Sequence, residues 1–308
     1  MTSPRPKVAV LLAAYNGMTW LPEQLDSLLK QINVDLTIYV SVDLSSDGTF
    51  TWLKDMESRE RRIEVLPYGE RYGGAAANFF RLISDVDIGG YDFMAFSDQD
   101  DIWCHEKLHR ATVILQGGQY SCYSSNVIAF WENGREVLIN KAQKQARYDY
   151  LFESAGPGCT FVFNSKSAKA LKNFVIENYS KIGNVWLHDW FSYSFARSHN
   201  FDWFIDPKPT MRYRQHGTNQ VGANSGWHSF INRYKIMVSG DGFDKVFTQA
   251  GILGQNAVEP IRILKNPSLA SFFRMIPLAM RCRRKRSEKC LMLFAVFIFC
   301  VKSRIKRS

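Results

Sequence analysis

The chain has no G-x-x-x-x-G-K-[ST] loop and no G-x-G-x-x-G after its first apolar run, which argues against a P-loop NTPase and against a dinucleotide oxidoreductase. Its six cysteines (Cys104, Cys122, Cys159, Cys282, Cys290 and Cys300) contain no C-x-x-C pair and no zinc-like spacing, so reduced thiols are expected. No long apolar stretch follows a basic head in the opening "MTSPRPKVAV". That start predicts no signal peptide and a location on the cytosolic side. Internal repeats and low-complexity linkers are also missing.

What is present suffices for a full core: 308 residues, of which 46% are hydrophobic and 22% charged. The net charge of +10 looks like a nucleic-acid signal until it is located. From Arg262 to Ser308 thirteen Lys and Arg face a single acid, Glu288, so the basicity belongs to the tail and the preceding residues are slightly acidic. Within that tail "RCRRKR" (281–286) precedes the apolar "CLMLFAVFIFCV" (290–301). Twelve apolar residues are too few for a membrane span, which needs about 20. Together with "SLASFFRMIPLAM" (268–280) they read as two helices lying in the interface of an anionic membrane, or as a helical hairpin packed on the body with a solvated basic loop. Aromatic residues do not interleave with the basic ones, so no nucleic-acid partner is expected.

From Lys7 onward, strand-like and helix-like patterns alternate. "KVAVLLAAYN", "LTIYVSVD", "RIEVLPY" and "YDFMAFSD" read as strands; "LPEQLDSLLKQ", the stretch after "SSDGT", and "AAANFFRLISDV" read as helices. The alternation predicts an α/β domain over residues 1–225 with an open, mainly parallel sheet flanked by helices, followed by a helical, basic region over 226–308. Further on, "HEKLHRATVILQ", "SAKALKNFVIENY" and "HDWFSYSFAR" read as helices, and "SCYSSNVIAFW", "CTFVFN" and "DWFIDPKPTMRYRQ" each as one strand.

Ligands of such sheets bind beyond the carboxyl ends of the strands. There the sequence places Tyr15 and Asn16, Asp43, and the acidic "FSDQDDIW" (96–103). Asp98 and Asp100 stand at i and i+2, so on extended backbone both carboxylates share a side. A divalent cation, Mg²⁺ or Mn²⁺, would use both oxygens, bridge to substrate phosphates and relieve their repulsion. Asp101 is expected to cap the following helix, and Asp47 to hold the "SSDGT" turn.

In order and separation, "AAYNG", "VDLSSDGT", "FSDQDDIW", "HDW" and "YRQHGTNQVG" resemble the family-2 inverting glycosyltransferases of GT-A fold, and within them the rhamnosyltransferase-like members that build bacterial surface polysaccharide such as O-antigen. The resemblance covers residues 7 to 225. It implies a nucleotide-diphosphate sugar donor, dTDP-rhamnose foremost, and a lipid-linked glycan acceptor. Ala14 and Tyr15 would then line the base pocket, Asp43 would bond the base, and Asn78 would lie near the nucleotide. Asp98 would contact ribose or metal, Asp100 would hold the cation, and His216 would add a metal ligand or a diphosphate donor. Arg214 would offset leaving-group charge, and Asp189, beside a tryptophan suited to stack on sugar, would be the general base. The second strand departs from the family pattern, with Val42 and Leu44 around Asp43. The tail would hold the enzyme at the inner membrane face. Two alternatives remain at this point: a phosphotransfer enzyme of the haloacid-dehalogenase type, and a non-catalytic polybasic membrane adaptor.

Overall fold

The computed structural model describes residues 4–183, 185–216 and 241–305. The division at 225/226 and the loop residues of "YRQHGTNQVG" after His216 lie outside them. The first half forms β1 (Lys7–Ala14), α1 (Leu21–Leu29), β2 (Asp35–Val42), α2 (Thr49–Arg59), β3 (Ile63–Val65), α3 (Ala75–Asp85), β4 (Phe93–Ser97), β5 (Ile102–Trp103) and α4 (Lys107–Gln116). Then follow β6 (Cys122–Ser125), β7 (Val127–Phe130), β8 (Glu136–Ile139), β9 (Val162–Asn164), α5 (Ser165–Glu177), α6 (Tyr179–Ile182), α7 (His188–Ser198), β10 (Trp203–Asp206) and β11 (Met211–Arg214). The tail supplies α8 (Asp241–Ile252), α9 (Glu259–Leu264), α10 (Leu269–Ala279) and α11 (Arg286–Ile305).

A seven-stranded sheet runs in the order β10-β6-β9-β4-β1-β2-β3. Every pairing in it is parallel except those of β9, which runs against β4 and β6. Strand β1 shows why the sheet lies between two helical layers. Its side chains alternate in direction, and Ala9, Leu11 and Ala13 enter one hydrophobic cluster while Val8, Val10, Leu12 and Ala14 enter the other. A run apolar at every position is therefore what a strand buried on both faces requires.

Two predicted strands are each split. "SCYSSNVIAFW" divides at Asn126 into β6 of the large sheet and β7 of a second sheet ordered β5-β11-β7-β8, and "DWFIDPKPTMRYRQ" divides at Pro207–Thr210 into β10 and β11. Both chains leave the large sheet side by side, with β6 parallel to β10 and β7 parallel to β11. Buried Asn126 holds this corner: its amide donates to the Pro207 carbonyl, and its carbonyl accepts from the Lys141 and Ala142 amides. The consequence is functional, because the switch carries β11 back beside β5 and the acidic turn.

The tail is packed, not appended. Phe243, Val246, Ile261, Met275, Val296 and Cys300 belong to the same cluster as Leu11 and Phe96. Within the basic run, Arg284 is fully buried. It bonds Asp149 at 3.0 Å and the Ser154 carbonyl at 2.6 Å, and it pairs with Glu153 at 3.2 Å. Arg281, Lys285 and Arg286 are exposed, so only part of "RCRRKR" faces outward as expected. Among the described residues no helix is long and apolar enough to cross a membrane.

Candidate active site

The carboxyl ends of β1, β2 and β4 make the floor, and short-range hydrogen bonds lock it. After β1, Asn16 adopts a positive φ of 43° and trades bonds with Ser45 and Ser46. Asp47 accepts from the amides of Met18 and Thr49, as a turn residue should. Asn78, buried on α3, donates to the carbonyls of Ser41 and Ala14 and so ties the ends of β1 and β2 together. Asp43 is buried, and its carboxylate accepts the amides of Leu44, Tyr72 and Gly73 at 2.8–2.9 Å. Three of its roughly four acceptor positions are thus committed to backbone. The ring of Tyr15 is half exposed above this floor.

Gln99, which sequence reasoning passed over, grips Tyr15: its carbonyl accepts the Tyr15 amide at 2.8 Å and its amide donates to the Tyr15 carbonyl at 2.9 Å. Gly17 leaves room for it, since a Cβ there would come within 2.6 Å of the Gln99 oxygen. The side chain between the two aspartates therefore fixes their turn to the end of β1.

The aspartates divide the space. Asp100 meets His216 Nε2 at 2.7 Å, and His216 stacks on Trp20 at 3.9 Å between ring centres. Arg214 donates from Nε to the Asp100 carbonyl at 2.8 Å, donates its amide to Asp101 at 3.1 Å, and pairs with Glu23. Asp100, Arg214 and His216 are thereby brought together. Asp101 differs from expectation. It is fully buried ahead of β5, while α4 begins later with Glu106 at its N-cap. Burial, with Asp100 and Asp98 nearby, holds its carboxyl well above the usual range. It therefore anchors β11 and caps no helix.

Asp98 is pushed up to about 7, first by burial and then by the charges of Asp100 and Asp189. The start of α7 is thus within electrostatic reach of the acidic turn. Asp189 itself is raised to about 6 by burial, against the opposing effects of the Trp190 amide and Lys141. Gly158 makes this approach feasible, because a Cβ there would stand 2.5 Å from His188 Nε2 and 3.0 Å from Asp189 Cβ. His188 is buried, stacked on Phe79 at 3.8 Å and held neutral, with its pKa lowered to about 3. Trp190 is buried, with its indole N–H on the Tyr150 carbonyl at 2.9 Å. The exposed tryptophan near Asp189 is Trp186, whose ring already carries the Lys245 ammonium at 3.7 Å, and the buried Trp190 is not open for stacking. Both line a cavity of about 440 Å³ that contains Asp189.

Two arrangements along the acidic turn could attract a cation. Ligand atoms of Asp98, Asp101 and Cys159 lie within 4.8 Å of one another. In that set Asp101 and Cys159 are fully buried beside Lys107, which donates to the Cys159 carbonyl at 2.8 Å, lies over the Trp103 ring and is held well below the usual lysine range by burial. The thiol of this set also suits Mg²⁺ and Mn²⁺ poorly. Asp100, two residues along the same turn from Asp98, and its partner His216 are partly open, with side-chain exposures of 14% for Asp100 and 11% for His216. Oxygen ligands with one imidazole fit Mn²⁺ or Mg²⁺ there, and the Asp98 carboxyl is raised first by burial and then by the neighbouring carboxylates, which a cation would offset.

Comparison with known proteins bears on the family and the fold. The family model described as Glycosyl transferase family 2 matches residues 9–180. The dTDP-rhamnosyl transferase RfbG of Shigella flexneri is 42% identical over 293 residues, 93% of this chain and 99% of that protein. In Escherichia coli the UDP-Glc:alpha-D-GlcNAc-diphosphoundecaprenol beta-1,3-glucosyltransferase WfgD is 28% identical over 162 residues, 50% of this chain and 58% of that protein. Among solved structures, S. aureus TarS 1–349 in complex with UDP-GlcNAc aligns with a TM-score of 0.54 at 14% identity, covering 98% of this chain and 91% of that one. The mannosyltransferase PcManGT from Pyrobaculum calidifontis, in complex with GDP-Man and Mn²⁺, aligns with a TM-score of 0.54 at 14% identity, covering 99% and 89%. These two likenesses establish the fold.

Proposed function

Since the chain belongs to glycosyl transferase family 2, we propose that it inverts configuration while moving rhamnose from dTDP-rhamnose to a hydroxyl of a lipid-linked acceptor in surface-glycan assembly. It is a glycosyltransferase of GT-A fold. The donor nucleotide would lie over Ala14, Tyr15, Asp43 and Asn78, and its diphosphate would face Asp98, Asp100, Arg214 and His216. A divalent cation held by Asp98 and Asp100, with His216 beside it, would supply positive charge to the departing diphosphate.

Asp189 would accept the proton of the acceptor hydroxyl as that oxygen bonds to the anomeric carbon and the bond from that carbon to the diphosphate breaks. Its pKa of about 6 suits the role: the carboxylate is ionised at neutral pH yet more basic than a solvated aspartate. Arg214 would hold the acidic turn in place through the Asp100 carbonyl. The observation that carries this reading is that Asp98 and Asp189 flank one turn: Asp98 lies within 4.8 Å of Cys159, and a Cβ on the adjoining Gly158 would stand 3.0 Å from Asp189 Cβ. The haloacid-dehalogenase alternative wants its aspartate pair after the first strand, whereas this pair follows β4. An adaptor would leave the paired carboxylates and Asp189 without a use.

Incubation with a panel of nucleotide sugars, with and without Mn²⁺, tests the proposal. Thermal stabilisation and slow donor hydrolysis should appear with dTDP-rhamnose and need the metal. A metal-independent response, or an equal response to every nucleotide sugar, would reject it.

A further inference from the structure

The parallel ladder between β1 and β4 ends where Leu12 faces Ser97. Beyond it the side chain of Gln99 takes the place of a neighbouring strand, since one amide group both accepts the Tyr15 N–H and donates to the Tyr15 carbonyl. Among side chains, only those of Asn and Gln offer an amide donor and a carbonyl acceptor together. The other bonds of the acidic turn lead away from Tyr15. Gln24 of α1 donates to Ser97, whose hydroxyl donates to the Asp98 carbonyl, while Arg214 and His216 hold Asp100. Gln99 therefore bridges the two aspartates to the residue that carries the exposed Tyr15 ring. Gly17 keeps the bridge open. Its backbone has no positive φ that would demand glycine; what matters is space, because a Cβ would stand 2.6 Å from the Gln99 carbonyl oxygen and 3.1 Å from its Cδ. Gly17 cannot retreat, since its amide donates to Thr49 and its carbonyl accepts from Trp20 and Leu21. A methyl group there would push the flexible Gln99 side chain aside.

We propose that Gln99 is a positioning residue that couples the two halves of the donor site: a base seated on Tyr15 tightens the hold of Asp98 and Asp100 on the cation. The inference rests on the donor-site reading above, in which Tyr15 lines the base pocket and the two aspartates face the diphosphate. A planar base against the Tyr15 ring restrains the end of β1. Through the paired bonds to Gln99 it also restrains the turn, because that side chain stands between the aspartates. Ordering imposed by one ligand lowers the ordering cost of the other, so the two affinities rise together. The consequence is selectivity. A nucleotide sugar with an ill-fitting base still offers its diphosphate but meets a more loosely held cation, so the base is read at the metal as well as in its own pocket.

Binding of Mn²⁺ to the full chain, followed through the electron paramagnetic resonance of the free ion with and without thymidine, tests this directly. Thymidine has the base but no phosphate to ligate the ion, so any effect must pass through the protein. Saturating thymidine should tighten Mn²⁺ binding about fivefold or more, and Mn²⁺ should tighten thymidine binding by the same factor. Gln99→Met keeps the length and loses both bonds, and Gly17→Ala displaces an unaltered Gln99. Each should abolish the mutual effect while either ligand alone still binds. Combining the two substitutions should change nothing further, because both break the same contact. Circular dichroism melting establishes that each variant is folded; if one is not, the other decides. Thymidine without effect on Mn²⁺ in the wild type, or a coupling that persists in a folded variant, overturns the inference. Wild-type protein that binds no Mn²⁺ or no thymidine would instead reject the donor-site reading, and this inference with it.

Discussion

Asp189 shows how one side chain can be costly for the fold and useful for chemistry. Burial raises its carboxyl from the ordinary range to about 6, so between about pH 4 and pH 6 the folded state holds a proton that the unfolded chain has released. Stability attributable to this group therefore falls as pH rises through that window. Catalysis runs the other way, because only the ionised form accepts a proton. The pH–rate profile should lose activity on its acid side with an apparent pKa near 6, and a profile flat down to pH 4.5 would remove Asp189 from the role. Asp189→Asn should lower turnover by at least about a hundredfold, the usual contribution of a positioned base, while leaving the melting temperature at pH 7 unchanged or higher. Asp98, raised to about 7, makes a separate prediction. Cation binding near pH 6.5 should release a proton, seen as a dependence of calorimetric enthalpy on buffer ionisation heat, and Asp100→Ala should abolish metal binding by the same measurement.

At the scale of elements, α10 and α11 make a surface that the core does not explain. Leu269, Phe273 and Ile276 on α10, with Met280 at its end, recur at helical spacing and are 40–65% exposed; Phe294 and Phe297 join them from α11. Exposed Arg274, Arg281, Lys285 and Arg286 accompany them. An apolar stripe with basic neighbours fits the interface of an anionic bilayer, and we propose that this face holds the enzyme on the inner leaflet. Sedimentation with vesicles containing phosphatidylglycerol should fall sharply for the double substitution Phe273→Glu and Ile276→Glu, and should fall also with added salt. Equal sedimentation of the double variant would place the membrane contact elsewhere.

For the whole molecule, the buried ion network decides whether the tail is separable. Arg284 contacts Asp149 and Glu153 where all three are nearly or fully buried, and Arg197 reaches Asp149 at 3.1 Å. Removing one member of such a network leaves uncompensated charge in the interior. Arg284→Ala should cost about 3–5 kcal/mol in chemical denaturation, whereas Arg286→Ala, on an exposed residue, should cost less than about 0.5 kcal/mol. Truncation near residue 265 would remove Arg284 together with Met275, Val296 and Cys300 of the shared core. It is therefore expected to destabilise the body and not simply to release it from membranes.

Much of this molecule was legible in its sequence, for reasons that are local. The doubly buried β1, the helices with apolar residues at three and four spacing, and the acidic turn after β4 follow from side-chain direction and chain geometry alone. The pairing of Asp100 with His216, and the placing of Asp189 beside Gly158 and of Asp98 beside Cys159, could be approached in sequence only through an ordered set of short motifs. No local rule encodes them, because β11 and α7 come from distant parts of the chain. Three things were settled by the tertiary structure: Asp101 became a buried anchor once Arg214 arrived beside it, two apparent strands broke at a shared corner, and a basic run placed Arg284 inside. Charge and hydropathy mark what a residue prefers, but whether a carboxylate caps a helix, or an arginine meets water or an interior aspartate, depends on which partner the fold carries to it.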